Sequence, residues 1–207
     1  MSKVYFKIRR QDLPESSPYW EEFQISALKG MTVSGALREI RLNPVNVKKE
    51  AVGAIVWGDD CGAESCASCA MLINGKGRLA CETHLEDLPQ PVVLRPLSKF
   101  PVLRDLLVDK GRIQTPVSPC TDCGLCLEAC PRFGERSDYI GPSAIIQAQL
   151  ANPSDERLLL LMGKGGIEDC GHFENCQKSC PEEIPILTLL GQVSREATRH
   201  GLKKFLG

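Results

Sequence analysis

Hydrophobic and polar residues alternate singly at the start of the chain, then recur in steps of three and four. Val4, Phe6 and Ile8 alternate with Tyr5, Lys7 and Arg9, the period of a strand with one inward face. Phe23, Ile25 and Ala27 continue that period in a second strand. Val33, Ala36, Leu37 and Ile40 then form the i, i+3, i+4, i+7 stripe of an amphipathic helix, with Thr32 placed to cap it. The apolar run 54–57 predicts a short strand that feeds a loop opening at Cys61. Runs 71–73 and 78–80 flank Asn74-Gly75, the strongest short hairpin signal, and 92–94 predicts a closing strand. Strands, one helix and a loop over residues 1–97 predict a small β-grasp domain.

The pattern changes beyond residue 100. Gly141-Pro142-Ser143 opens one helical stretch, and Pro153-Ser154 opens another with Leu158, Leu161 and Met162 on one side. A third follows Pro185, with Ile186, Leu189, Leu190, Val193 and Ala197 at helical spacing. Residues 120–207 are therefore expected to form an all-α module, with 98–119 as the linker. Its last ten residues, 110–119, are rich in turn formers. The fold class expected is α+β.

Composition sharpens this picture. Aromatic residues are only 5% of the 207, so each half has a modest core and metal sites can supply what packing does not. A formal net charge of −1 gives no electrostatic case for nucleic acid or an anionic membrane surface. The first residues carry charge early and no apolar h-region, and the longest aliphatic run, 158–162, is far short of a membrane span. The 11 cysteines are odd in number, which in an unsecreted chain favours thiolate ligands over disulfides.

Those cysteines fall into three groups. Cys61, Cys66, Cys69 and Cys81 are spaced C-x4-C-x2-C-x11-C, the plant-type start for a [2Fe–2S] centre, and small residues between them let the loop backbone approach a cluster. A structural zinc site would ordinarily use two C-x2-C knuckles, and only one is present here. Cys120, Cys123, Cys126 and Cys130 precede Pro131 in the C-x2-C-x2-C-x3-C-P run of bacterial ferredoxins. Cys170, Cys176 and Cys180, before Pro181, fit that run with Phe173 at the second cysteine position.

In two-cluster ferredoxins the last cysteine of each run ligates the other cluster. Crossing the ligands here assigns Cys120, Cys123, Cys126 and Cys180 to a [4Fe–4S] cluster. Cys130, Cys170 and Cys176 remain, with Phe173 at the vacant corner, and a phenyl ring cannot ligate iron, so that cluster is expected as [3Fe–4S]. The competing arrangement is a four-iron cluster whose last iron is held by His172, Glu174 or Asp169. A three-iron cluster carries less negative charge, so a relatively high potential is expected.

With these motifs the chain resembles the iron–sulfur subunits of succinate dehydrogenase and fumarate reductase over nearly its whole length. The resemblance lies in 61–81, 96–109, 120–131 and 170–181. Gly171 after Cys170 and Asn175 before Cys176 are more similar to the menaquinone-linked branch. The resemblance implies an electron-transfer subunit between a flavoprotein carrying FAD and a membrane anchor that binds quinone and can bear haem. The [2Fe–2S] centre would face the flavin and the [3Fe–4S] centre the quinone, on the cytoplasmic side of the membrane. Catalytic substrate chemistry would lie on the partner. The chain departs from the family in Ala67, in a shorter interval from Cys81 to Cys120, and in lacking a Trp after the second motif and a His directly after Cys170. No quinone-binding residue is carried over.

Other residues have plainer expectations. His84 and His200 are expected on the surface, and His172 is a candidate for a hydrogen bond or proton relay beside a cluster. Trp20 and Trp57 are expected in a core or interface, Arg104 and Asp105 as a surface pair, and Lys203, Lys204 and Phe205 as a solvated helix end. Two other functions use the same clusters: service to another flavin-dependent dehydrogenase or heterodisulfide-reductase-like complex, and free diffusion as a ferredoxin-type carrier.

Overall fold

The computed structural model describes residues 2–59, 66–111, 117–151 and 161–206, with backbone alone at 197, 200, 201 and 203–206. It divides into two compact units, Met1–Lys110 and Gly111–Gly207.

The first unit is built on a mixed sheet. Strand β1 (Ser2–Arg10) pairs antiparallel with β2 (Tyr19–Ala27), with Val4 opposite Ile25 and Phe6 opposite Phe23. The hairpin β3 (Ala70–Ile73) and β4 (Lys76–Leu79) turns through Asn74 and Gly75 at φ +49° and +78°, the left-handed pair of a type I′ turn. The Asn74 side chain also accepts from the Val93 N–H at 2.7 Å and donates to the Pro89 carbonyl. Strand β5 (Val92–Arg95) lies between β1, to which it is parallel, and β3, giving the order β2-β1-β5-β3-β4. The strand expected to close the sheet is thus its centre, and Val92 and Leu94 are fully buried there.

Helix α1 (Val33–Leu42) begins at Thr32, whose hydroxyl accepts from the Gly35 N–H at 3.2 Å. Its buried stripe is Val33, Ala36, Leu37 and Ile40, as the spacing predicts. Sheet, helix and hydrophobic face form the expected β-grasp arrangement.

Several expectations do not survive in this unit. Residues 54–57 form no strand, because their backbone groups are taken elsewhere: the Val56 N–H donates to Asp105 Oδ2 and the Val56 carbonyl accepts from Leu106 N–H. Residues 98–110 are not linker but part of the unit, carrying the hairpin β6 (Val102–Arg104) and β7 (Leu107–Val108). Asp105, expected on the surface beside Arg104, is 1% exposed and pairs with Arg10 instead. Trp57 lies in the core, with the Arg41 guanidinium over its ring; Trp20 lies outside it, 47% exposed under Lys7, which leaves the interface half of its expectation untouched. His84 is exposed, its ring 3.1 Å from the Gly30 carbonyl.

The second unit contains helices and turns and no strand among the described residues. Two short helices, α2 (Leu125–Ala129) and α4 (Asn175–Lys178), were not foreseen in the sequence pattern. Helix α3 (Gly141–Leu150) opens with Pro142 in its first turn, where a missing N–H does no harm. Helix α5 (Ile186–Leu206) follows Pro185. Helix α3 packs on α5, and α2 lies against both α3 and α4. Ile145, Ile146, Ile186, Leu190 and Val193 form the buried centre. The start of the helix expected at Pro153, the linker residues 112–116 and the side chains of His200, Lys203, Lys204 and Phe205 lie outside what is described.

Candidate iron–sulfur centres

In the first unit the β3–β4 hairpin sets two cysteines side by side. Cys69 immediately precedes β3, Cys81 follows β4, and their sulfurs are 3.3 Å apart without a disulfide. Antiparallel pairing causes this: Ala70 lies opposite Leu79, and the Ala80 N–H bonds to the Cys69 carbonyl, so the chain leaves and returns at one edge. Cys66 is half-buried, 3.4 Å from the Ser68 hydroxyl. Gly58 closes the neck of the loop, since a Cβ there would lie 2.3 Å from the Ser68 carbonyl oxygen. Arg38 and Arg41 on α1 both bind Asp59, at 2.6 and 2.8 Å, and pull its carboxyl below the usual range. Cys61, the fourth ligand expected, lies outside the described residues.

In the second unit seven cysteines line two separate cavities. One has Cys120, Cys123, Cys126 and Cys180 in its wall. The other has Cys130, Cys170 and Cys176, with Phe173 beside them. Members of one sequence run therefore separate: Cys130 leaves the first run and Cys180 the second. The sulfurs surround space rather than converge on a point, and no three such donors among the described residues are arranged for a single metal ion.

The crossing has a local cause. Each run makes a loop, a short helix and a turn, so its last cysteine is carried past its own cavity. Cross-ties then hold one run against the other. Asn175 donates to the Ala129 carbonyl, Ser179 to the Leu125 carbonyl, and Arg132 to the carbonyl of Asp169. The residue after each loop's first pair matches too: Asp122 and His172 have φ of +57° and +52°. Phe173 thus follows a left-handed residue as Cys123 does, and is 51% exposed. His172 is exposed.

The donors fit iron–sulfide cores. Burial pushes the Cys126, Cys120 and Cys176 thiols up, and for Cys126 the neighbouring Cys123, Cys120 and Cys180 add to it. Such thiols become thiolates when a cationic core compensates their charge, so loading would release protons. Thr121 gives a second indication. Its hydroxyl is buried in the wall of the four-cysteine cavity with no partner among the described residues, as a donor to cluster sulfur would be. Sequence reading missed Thr121, Ser179 and Arg132 and the cross-tie made by Asn175, contacts set by tertiary packing.

Comparison with known proteins agrees with this geometry. The pattern of a 2Fe-2S iron-sulfur cluster binding domain matches residues 5–115, and that of a 4Fe-4S dicluster domain matches 116–184. The succinate dehydrogenase iron-sulfur subunit of Bacillus subtilis (strain 168) is 37% identical over an alignment of 243 positions, covering 99% of this chain and 96% of the relative. The chain belongs to the family of succinate dehydrogenase and fumarate reductase iron–sulfur subunits. The fumarate reductase iron-sulfur subunit of Haemophilus influenzae is 29% identical, covering 74% of this chain and 79% of the relative. A chain of the Mycobacterium smegmatis Sdh1 complex in the apo form shares the fold, with a TM-score of 0.78 at 21% identity over 96% of both chains. Membership makes this an oxidoreductase subunit of a multi-subunit complex. Among the described residues no helix is long and apolar enough to cross a membrane.

Proposed function

We propose that this chain carries electrons between the FAD of a flavoprotein subunit and quinone at a membrane anchor, through three clusters of its own. Cys61, Cys66, Cys69 and Cys81 hold the [2Fe–2S] cluster, which faces the flavin. Cys120, Cys123, Cys126 and Cys180 hold [4Fe–4S]. Cys130, Cys170 and Cys176 hold [3Fe–4S], which faces the quinone. The clusters supply one-electron chemistry; the chain supplies thiolates, hydrogen-bond donors and exclusion of water. The complex sits on the cytoplasmic side of the membrane, peripheral through its anchor, which can carry haem.

One observation carries the reading: seven cysteines from two sequence runs line two cavities as four and three, each set mixing both runs. Electron paramagnetic resonance of the oxidised and reduced complex tests it. The expected result is three distinct signals, with about nine iron atoms per chain. Reduction of the clusters by succinate, dependent on a co-purified flavoprotein, is expected as well. A chain that purifies alone and exchanges electrons without a flavoprotein overturns the assignment of partner.

A further inference from the structure

The three-cysteine cavity has a buried hydroxyl in its wall. Tyr139 is 2% exposed and lines the cavity with Cys130, Cys170 and Cys176. Its hydroxyl has no nitrogen or oxygen partner among the described residues, and the side chain it meets is that of Cys170. A buried phenol without a nitrogen or oxygen acceptor is costly, and a phenylalanine of the same shape would avoid that cost. The ring is also well anchored. The Tyr139 N–H donates to the Ser137 hydroxyl at 3.1 Å and the next N–H, of Ile140, to the Gly165 carbonyl at 2.8 Å, just before α3 begins. Burial first, and then the nearby Cys170 sulfur, push the hydroxyl's pKa up from its ordinary value.

We propose that Tyr139 donates a hydrogen bond to the sulfur side of the three-iron centre, to the Cys170 thiolate or the sulfide next to it, and so raises that centre's reduction potential. The inference rests on the reading of Cys130, Cys170 and Cys176 as ligands of such a centre. One electron added to the cluster increases the negative charge on its sulfurs. A fixed donor stabilises that reduced form more than the oxidised one, and hydrogen bonds to cluster sulfur are among the determinants of potential. No proton moves in the step; the hydroxyl keeps its own. The four-cysteine cavity has its own buried hydroxyl without a partner among the described residues, that of Thr121, so the two centres have separate donors.

The test uses the assembled complex and a redox titration followed by electron paramagnetic resonance. Y139F is expected to shift the midpoint of the three-iron signal to lower potential and to leave the other two centres unmoved. Replacing Tyr139 by 3,5-difluorotyrosine, a stronger donor of nearly the same size, is expected to shift it upward. This second variant keeps the test open if Y139F fails to assemble, and its fluorines report proximity through hyperfine coupling to the cluster. Unmoved potentials, or two shifts in the same direction, overturn the proposal while the three-iron assignment stands. Absence of a three-iron signal from the unmodified complex overturns both.

Discussion

Asp105 has both carboxylate oxygens committed inside the first unit. Oδ1 accepts from Arg10 Nε at 2.8 Å and from the Gln11 N–H at 3.1 Å, and Oδ2 accepts from the Val56 N–H at 2.9 Å. Arg10 also pairs with Glu21 and donates to the Gly53 carbonyl, so its charge is spread over the segment that leads to Cys61. Removing one partner of such a pair leaves a buried charge uncompensated. Asp105→Ala is therefore expected to destabilise the first unit by about 3–5 kcal/mol, read from urea unfolding of the sheet signal. An effect near zero would mean water reaches Arg10. Half of this network is legible in the sequence. Arg10 continues the inward parity of Val4, Phe6 and Ile8, and a charge at an inward position demands a partner. Which partner is not legible, because Asp105 lies 95 residues away. Phe173 is the opposite case, since template alignment alone singles it out. It follows a left-handed residue as Cys123 does, so Phe173→Cys is expected to supply the fourth thiolate, raise iron from about nine to about ten atoms per chain, and abolish the oxidised three-iron signal. Iron analysis beside the spectrum checks it; an unchanged count shifts suspicion to another residue at that corner.

Among the elements, those whose ends are set by local chemistry are the ones the sequence predicts well. Helix α1 starts where a threonine hydroxyl can cap it and the β3–β4 turn sits on Asn74-Gly75, and both lie where the pattern puts them. Thr32→Ala is expected to cost about 1 kcal/mol, because the Gly35 N–H loses its acceptor. In a chain of this size that lowers the thermal midpoint by about 2–4 °C, measured at a fixed scan rate. Elements decided by distant partners are the ones missed. The apolar run 54–57 has the composition of a strand, yet its ladder bonds go to Asp105 and Leu106. The short helices α2 and α4 offer too few residues for a period to show. They exist because loop, turn and cross-tie hold them, with Asn175 and Ser179 bonding across to the opposite run.

For the whole molecule, the two units have unequal means of standing without metal. The first buries a continuous sheet and helix core that includes Phe6, Ile8, Phe23, Leu37 and Leu94, remote in sequence from the Cys61 loop. In the second, the short helices and loops surround two cavities, lined by four and by three cysteines. Emptied of clusters, those cavities lose the contacts that fill them, and buried thiols replace metal bonds. The spacing of the cysteines is legible because it is a local feature of the chain; the packing around them is not, because no periodic stripe encodes it. Metal-binding free energy becomes folding free energy where the apo site is poorly packed. Removing iron with a chelator under reducing conditions is therefore expected to act unequally. Circular dichroism should lose much of the helical signal, while amide exchange in β1, β5 and α1 remains slow. Exchange that accelerates equally in both units would show that the clusters stabilise the chain as a single cooperative body. Restoring iron and sulfide should return the helical signal along with the visible absorption, since ligand capture and helix packing are one event in the second unit.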